Sequence, residues 1–407
     1  MPAYRGRCLA NIPSSVVRAL EGDAENMLPP LDPSLDPFEG RAAEGPVVVL
    51  LVDGLGWEAL RAAADEEPGG PLARWSERAS PITTVYPTST APALASLSFG
   101  TAPAQSGVAG YRLHLPAFGV LADLLKSMPY GVGDPESLVG PAWDPRIITG
   151  ATPIFRRIPG GVVVSRETFR GSGFSRMLYD GARFVGYSTL GSLAERLVDL
   201  LRAARPPPLL YAYWDELDTV AHLEGPDPET VRAELDRVAR TIARVARRVG
   251  EAARRVRLIV TGDHGMVPLD PAREVRAEEH PDLLRCLSRP IGGDRRGPLF
   301  AARRGTDGEL VRSLETILPQ GSRLLEVADA LSAGLFGPPP WHDEVVERLG
   351  THLALLPPGA GMSHALPGFP RSSRSLRGAH GGLDSAELLV PLIGGPLSAF
   401  ADGATSV

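Results

Sequence analysis

The apolar positions of this chain fall into short unbroken runs, separated by longer stretches whose apolar residues recur at helical spacing. Val47-Val48-Val49-Leu50-Leu51-Val52 has no polar break, the pattern of a strand buried on both faces of a sheet. It stops at Asp53-Gly54-Leu55-Gly56, and Trp57–Ala64 continues as a good helix former. Leu209–Trp214 repeats the pattern and runs into Asp215 and Asp218, and Val256–Gly262, whose apolar run carries Arg257 near its start, reads as a strand running into Asp263. Val162–Val164 and Leu389–Ile393 read as further strands, and Leu299–Ala302 is strand-like. Helices are predicted at Ser14–Leu20, Ser192–Arg202, 228–250, and near 307–318 and 341–349. In 228–250 the stripe Val231, Leu235, Val238, Ile242 and Val245 lies between an opening Pro228 and a closing Gly250, and it reads as core.

Strands alternating with helices predict an α/β fold with a doubly wound, mostly parallel sheet and helices on both faces. Residues 1–45 read as a lead-in containing the Pro-rich loop Leu28–Phe38, 46–393 as the main domain, and 394–407 as a C-terminal tail. The stretches at about 112–190 and 270–370 read as insertions forming a cap or lid. No internal repeat is visible.

Composition removes several classes of function. The 407 residues carry a net charge of -6, which gives no reason to expect a nucleic-acid polymer as partner. Cys8 and Cys286 are the two cysteines, too few for a disulfide framework or a cysteine-rich zinc site. The N-terminal residues have no apolar core of signal-peptide length, and no run approaches the roughly 18 apolar residues of a membrane span. These absences predict a soluble, cytoplasmic protein.

The polar residues at the strand ends carry the chemistry. Ligands of open α/β sheets bind at the carboxyl ends of strands. Asp53 stands at such an end, either as a helix cap or as a functional acid. Thr90, after Tyr86-Pro87-Thr88-Ser89, stands where a helix N-cap is expected, with Pro92 in the first turn and Gly100 at the stop. A hydroxyl there faces unpaired N–H groups, a ready anion site. Asp218 and His222 are four residues apart, a spacing that either a helical turn or a loop could bring to one ion. Asp263 and His264 are adjacent and can share an ion only in a loop, a freedom that Gly262 and Gly265 supply. His380, in Gly378-Ala379-His380-Gly381-Gly382, adds a third imidazole. Three aspartates, three histidines and one hydroxyl suffice for two divalent ions; the oxygen and imidazole set suits Zn²⁺, with Mn²⁺ or Fe as other fits.

The ordered motifs Val52-Asp53-Gly54, Pro87-Thr88-Ser89-Thr90-Ala91-Pro92, Asp218-Thr219-Val220-Ala221-His222, Gly262-Asp263-His264-Gly265-Met266 and His380-Gly381-Gly382 resemble the alkaline phosphatase superfamily. They look closest to its type I phosphodiesterase/nucleotide pyrophosphatase branch. The resemblance implies that 46–393 is a catalytic domain with two zinc ions. Asp218, His222 and His380 would hold one ion, and Asp53, Thr90, Asp263 and His264 the other. It implies Thr90 as the nucleophile, a phospho- or nucleotidyl-threonine intermediate, and a small phosphate ester as substrate. Where this branch commonly has Phe-Pro-Asn and a later asparagine that binds a phosphate oxygen, this chain has Ala91-Pro92-Ala93 and Tyr111. Tyr111 is therefore a candidate donor to that oxygen, or a core residue.

A sulfatase reading fails, because that branch resembles Cys or Ser followed by x-Pro-x-Arg. A phosphomonoesterase or cofactor-independent phosphomutase stays open, although Arg112 is the one basic residue near Thr90 in sequence. A binding protein that kept the fold without the activity would be expected to have lost a ligand, and none is lost. His364, in a Gly/Pro-rich stretch, reads as part of a surface loop. Trp214 and Tyr213 read as strand core beside the site.

Overall fold

Every residue of the strand Val47–Val52 is buried. The strand lies at the centre of a seven-stranded sheet because both of its faces are covered. In the computed structural model, which describes residues 1–132, 134–140, 144, 147–366 and 376–401, it pairs in parallel with Leu209–Trp214 and with Arg257–Thr261. Val162–Arg166 extends the sheet beyond Leu209–Trp214, and Arg183–Tyr187 forms that edge, both parallel. On the other side Leu389–Pro396 runs antiparallel between Arg257–Thr261 and the edge strand Ala79–Thr83. The sheet is therefore mostly parallel, as the alternation of strands and helices predicts.

Side-chain alternation splits the core into two layers. Val47, Val49 and Leu51 pack with Tyr211, Tyr213 and the wholly buried helix Thr90–Phe99. Val48, Leu50 and Val52 face the amphipathic helices Leu190–Leu201 and Pro228–Val249. The registers put Val52 beside Trp214 and Leu51 beside Thr261. The residues that follow these strands, Asp53, Asp215 and Gly262-Asp263, thus emerge at one level of the sheet.

Three boundaries read from the sequence shift. The insertion expected at 112–190 is shorter, because Val162–Arg166 and Arg183–Tyr187 belong to the central sheet. Val162–Val164 is legible as a strand, but its place in the central sheet is not, and the residues between the two strands include the largely buried short helix Gly173–Leu178. The lead-in is part of the main domain: Thr83 donates its N–H to the Arg7 carbonyl at 2.9 Å, and Leu9, Val16 and Val17 join the core around Thr90–Phe99. The tail expected at 394–407 begins inside the last strand, and Leu397 and Phe400 are buried behind it; residues 402–407 lie outside the described residues.

The two insertions share one sheet. Gly293 of the second pairs antiparallel with Arg112 of the first, joining Arg112–Leu115, Val120–Asp123 and Met128–Pro129 to Gly292–Gly293, Pro298–Phe300, His352–Leu355 and Arg323–Glu326. Among the described residues no helix is long and apolar enough to cross a membrane.

Leu50 is fully buried in the central strand. Leu50→Ala is expected to lower unfolding free energy by about 2–5 kcal/mol in urea titration, the usual cost of such a cavity; a loss below about 1 kcal/mol would place the residue outside a close-packed core.

Candidate metal centre

Each strand end supplies a side chain in a different way. After Val52 the chain turns at Gly54, whose φ is +78° and whose N–H donates to Asp263 Oδ1 at 2.9 Å. The Asp263-His264 pair lies in a loop, the one arrangement that lets neighbours point into the same space. The two glycines around it are enforced by contact. A Cβ on Gly262 would sit 2.1 Å from the Leu55 carbonyl oxygen, and one on Gly265 would sit 1.9 Å from that of Ala386. Asp218 and His222 lie one turn apart on the helix Glu216–Glu224, so the helical alternative is the one realised.

The three histidines share a construction. His222 Nδ1 donates to the Gly378 carbonyl, His264 Nδ1 to Gly265 and His380 Nδ1 to Thr88, at 2.9, 3.0 and 2.9 Å. A carbonyl can only accept, so Nδ1 carries the proton and each Nε2 presents a bare lone pair. His222 Nε2 and His380 Nε2 lie 3.2 Å apart, and Asp218 Oδ1 is 3.4 Å from the first and 3.9 Å from the second. His264 Nε2 lies 3.5 Å from Asp53 Oδ1, 3.4 Å from Asp263 Oδ2 and 3.2 Å from Thr90 Oγ1. All seven residues singled out in the sequence therefore meet, with His264 within reach both of Asp218 and His380 and of Asp53 and Asp263. The sets adjoin, since the His264 and His380 rings stack with centroids 3.7 Å apart.

Asp53 Oδ1, Asp218 Oδ1 and Asp263 Oδ2 are buried without a hydrogen-bond partner. Buried polar atoms are ordinarily satisfied, and these three carboxylate oxygens face three imidazole lone pairs. Acceptors alone cannot satisfy one another, so the donor set fits divalent cations. The electrostatics agree. Burial, then the charges of Asp263 and Asp218, push the Asp53 carboxyl far above its usual range. Burial raises Asp218 to about 7. Burial, then His264 and His222, hold His380 well below an ordinary histidine.

Thr90 is the first residue of its helix, and Ser89, one residue earlier than expected, occupies the N-cap position. Ser89 does not cap. Its hydroxyl donates to Asp294 Oδ1 at 2.6 Å, which leaves the helix start without a side-chain cap beside the Thr90 hydroxyl.

The sequence leaves Tyr111 open as a phosphate donor or a core residue, and the structure gives its hydroxyl a partner in the sheet of the two insertions. That hydroxyl donates to Asp123 Oδ2 at 2.9 Å. His364 is buried rather than on a surface loop, and its Nδ1 accepts the Ile291 N–H. Tyr213 is core as its strand position predicts, and its hydroxyl also donates to Asp53 Oδ2, a contact no local pattern signals. Asp294, in Gly292-Gly293-Asp294-Arg295-Arg296-Gly297, carried no motif. Only the pairing of the two insertions brings it to Ser89.

The sequence model of the type I phosphodiesterase/nucleotide pyrophosphatase family matches residues 47–290. No curated protein matches the chain significantly. Among solved structures, murine ectonucleotide pyrophosphatase/phosphodiesterase 5 superposes with a TM-score of 0.62 at 19% identity, covering 85% of this chain and 87% of that one. That murine protein is also known as an inactive threonine-to-alanine variant in complex with AMP, at 18% identity. Phosphonoacetate hydrolase from Sinorhizobium meliloti 1021, in complex with phosphonoformate, superposes with a TM-score of 0.63 at 20% identity, covering 88% and 94%.

The raised pKa of Asp218 makes a prediction for the metal-free protein. Its carboxyl rises from 3.8 to about 7 on folding, so between these values the folded state keeps a proton that the unfolded state releases. That contribution weakens the fold as pH rises through the window. In EDTA, Asp218→Asn is therefore expected to gain stability over the parent from pH 4 to pH 7 and to level off above. Urea titrations across that range check it, and a difference that does not change with pH would contradict it.

Proposed function

The chain belongs to the type I phosphodiesterase/nucleotide pyrophosphatase family of phosphoester-cleaving hydrolases, and on that footing we propose that it cleaves small-molecule phosphate diesters or pyrophosphates at a two-cation site. Asp218, His222 and His380 would hold one cation. Asp53, Asp263 and His264, with the Thr90 hydroxyl, would hold the other. The observation that carries this reading is the meeting of three unpartnered carboxylate oxygens with three lone pairs of fixed tautomer. Bound cations would lower the pKa of the Thr90 hydroxyl and offset the charge of the phosphate oxygens, with Zn²⁺ the best fit to the ligand types.

The chain's own groups set the geometry of transfer. The Thr90 Oγ–phosphorus bond forms as the bond to the leaving oxygen breaks, and the hydroxyl proton passes through solvent to the oxygen that departs. Water then adds to phosphorus, the threonine oxygen departs and regains a proton, and two inversions leave the configuration at phosphorus retained. The uncapped N–H groups at the start of Thr90–Phe99 are placed to receive a phosphate oxygen. Tyr213 and the Gly54 N–H hold Asp53 and Asp263 in place. The murine neighbour's complex with AMP agrees with a nucleotide-like substrate.

The test is chelation followed by Zn²⁺ or Mn²⁺ addition. Bis(p-nitrophenyl) phosphate, thymidine 5′-p-nitrophenyl phosphate and p-nitrophenyl phosphate are then compared. Metal-restored diester cleavage above monoester cleavage is expected, with Thr90→Ala at least about 10³-fold slower in kcat. Equal turnover by Thr90→Ala would remove the threonine from the mechanism.

One feature favours a monoester or other substrate with an additional negative charge. Burial foremost, and then the charge of Arg295 in the second insertion, lower the His222 imidazole, and Arg295 also pairs with Glu274 at 2.5 Å. Arg112, stacked 4.2 Å over Tyr130, has a buried Nε without a partner. On this reading Arg295→Met raises KM for p-nitrophenyl phosphate more than for the diesters; a uniform change would leave the diester reading in place.

A further inference from the structure

Arg296 and Glu387 are both completely buried, and their ion pair is bidentate: Nε to Oε1 at 2.7 Å and Nη2 to Oε2 at 2.9 Å. The guanidinium also donates to the carbonyls of Pro357 and Ala360 through Nη1, at 2.8 and 3.0 Å, and to that of Leu356 through Nη2 at 3.2 Å. Desolvating two charges offsets much of their attraction, so a buried pair is poor evidence for stability alone. The other bonds of Glu387 indicate what this one does.

Glu387 Oε1 accepts the Gly382 N–H at 3.0 Å. The main-chain oxygen of the same residue accepts the Gly265 N–H at 2.9 Å. Gly382 is two residues from His380, and Gly265 is the neighbour of His264. One residue thus grips both histidine loops, the first through its side chain and the second through its backbone. There is little slack in the first grip, since a Cβ on Gly382 would lie 2.8 Å from Glu387 Oε2 and 3.1 Å from Arg296 Nη2. Thr88 closes the same loop from the other side. Its Oγ1 accepts from Gly381 N at 3.0 Å and donates to the Gly382 carbonyl at 2.9 Å.

We propose that the Arg296–Glu387 pair is a positioning unit of the metal centre: it fixes the His380-Gly381-Gly382 loop against the Asp263-His264-Gly265 loop, and so sets the spacing of the two cation positions. The inference rests on the two-cation reading above. Arg296 holds the carboxylate, the carboxylate holds the Gly382 N–H, and the histidine follows. Outer groups that orient metal ligands typically change affinity about 10–100-fold when removed.

Two double variants separate this role from plain stability. Arg296→Met with Glu387→Gln removes both charges but keeps an acceptor for Gly382. Arg296→Met with Glu387→Leu removes the acceptor as well. Zn²⁺ titration calorimetry on the metal-free proteins, with thermal melting alongside, reads the result. The expected outcome is about 10–100-fold weaker binding at one site for the leucine variant, and a smaller loss for the glutamine variant, which keeps the acceptor for Gly382 but lacks the guanidinium that holds it, at similar melting temperatures. Equal affinities in parent and both variants would overturn the proposal. So would losses that simply follow melting temperature. If the leucine variant does not fold, Glu387→Asp in the parent keeps the charge but shortens its reach, and unchanged Zn²⁺ affinity there also overturns it. A parent that binds no divalent cation removes the two-cation reading itself, and this inference with it.

Discussion

Three buried carboxylates and three neutral imidazoles turn their lone pairs on one small space, and that mutual repulsion is the constraint the rest of the structure answers to. Water would relieve it, but each aspartate has one carboxylate oxygen that is buried and without a partner. Burial foremost, with neighbouring charges beside it, drives Asp53 and Asp218 toward protonation and His380 away from it. Such a cluster persists only if its backbone cannot relax outward, and a site of this kind marks function more often than stability.

The rigidity comes from the sheet and from how its strand ends are tied. Val47–Val52 and its two parallel neighbours are fixed in register by full burial, so their exits cannot drift. Beyond the strands, side chains are held by their second polar atom. Each histidine spends Nδ1 on a carbonyl, Asp263 spends Oδ1 on the Gly54 N–H, and Asp53 spends Oδ2 on Tyr213. What remains free on each side chain is the atom turned inward. The glycines at 262 and 265 permit this because the backbones of Leu55 and Ala386 pass where a Cβ would stand.

The sheet shared by the two insertions reaches the site. Its two halves, far apart in sequence, close into one sheet through Gly293 and Arg112. That pairing delivers Asp294 to Ser89, beside Thr90. The serine that would have capped the Thr90 helix is drawn to the cap instead, and the helix start is left open to an anion. The tie to the cap and the readiness of the anion site are thus one interaction.

Much of the site was legible along the chain, because strand-terminal Asp, Thr and His residues beside glycine form local patterns. Asp53, Thr90, Asp218, His222, Asp263, His264 and His380 could all be named from those patterns and their order. The mostly parallel sheet followed from apolar runs alternating with helical stripes. What the sequence by itself determined, then, was everything carried by local periodicity and short motifs. Tertiary structure alone decided the rest: that Val162–Arg166 and Arg183–Tyr187 extend the central sheet, that Tyr111 bonds to Asp123, and that Tyr213, Asp294, Arg296 and Glu387 support the site. Each of these depends on a contact between residues distant in the chain. Hydrogen-bond partners are chosen by position in space, and no periodicity records which buried donor will find which buried acceptor.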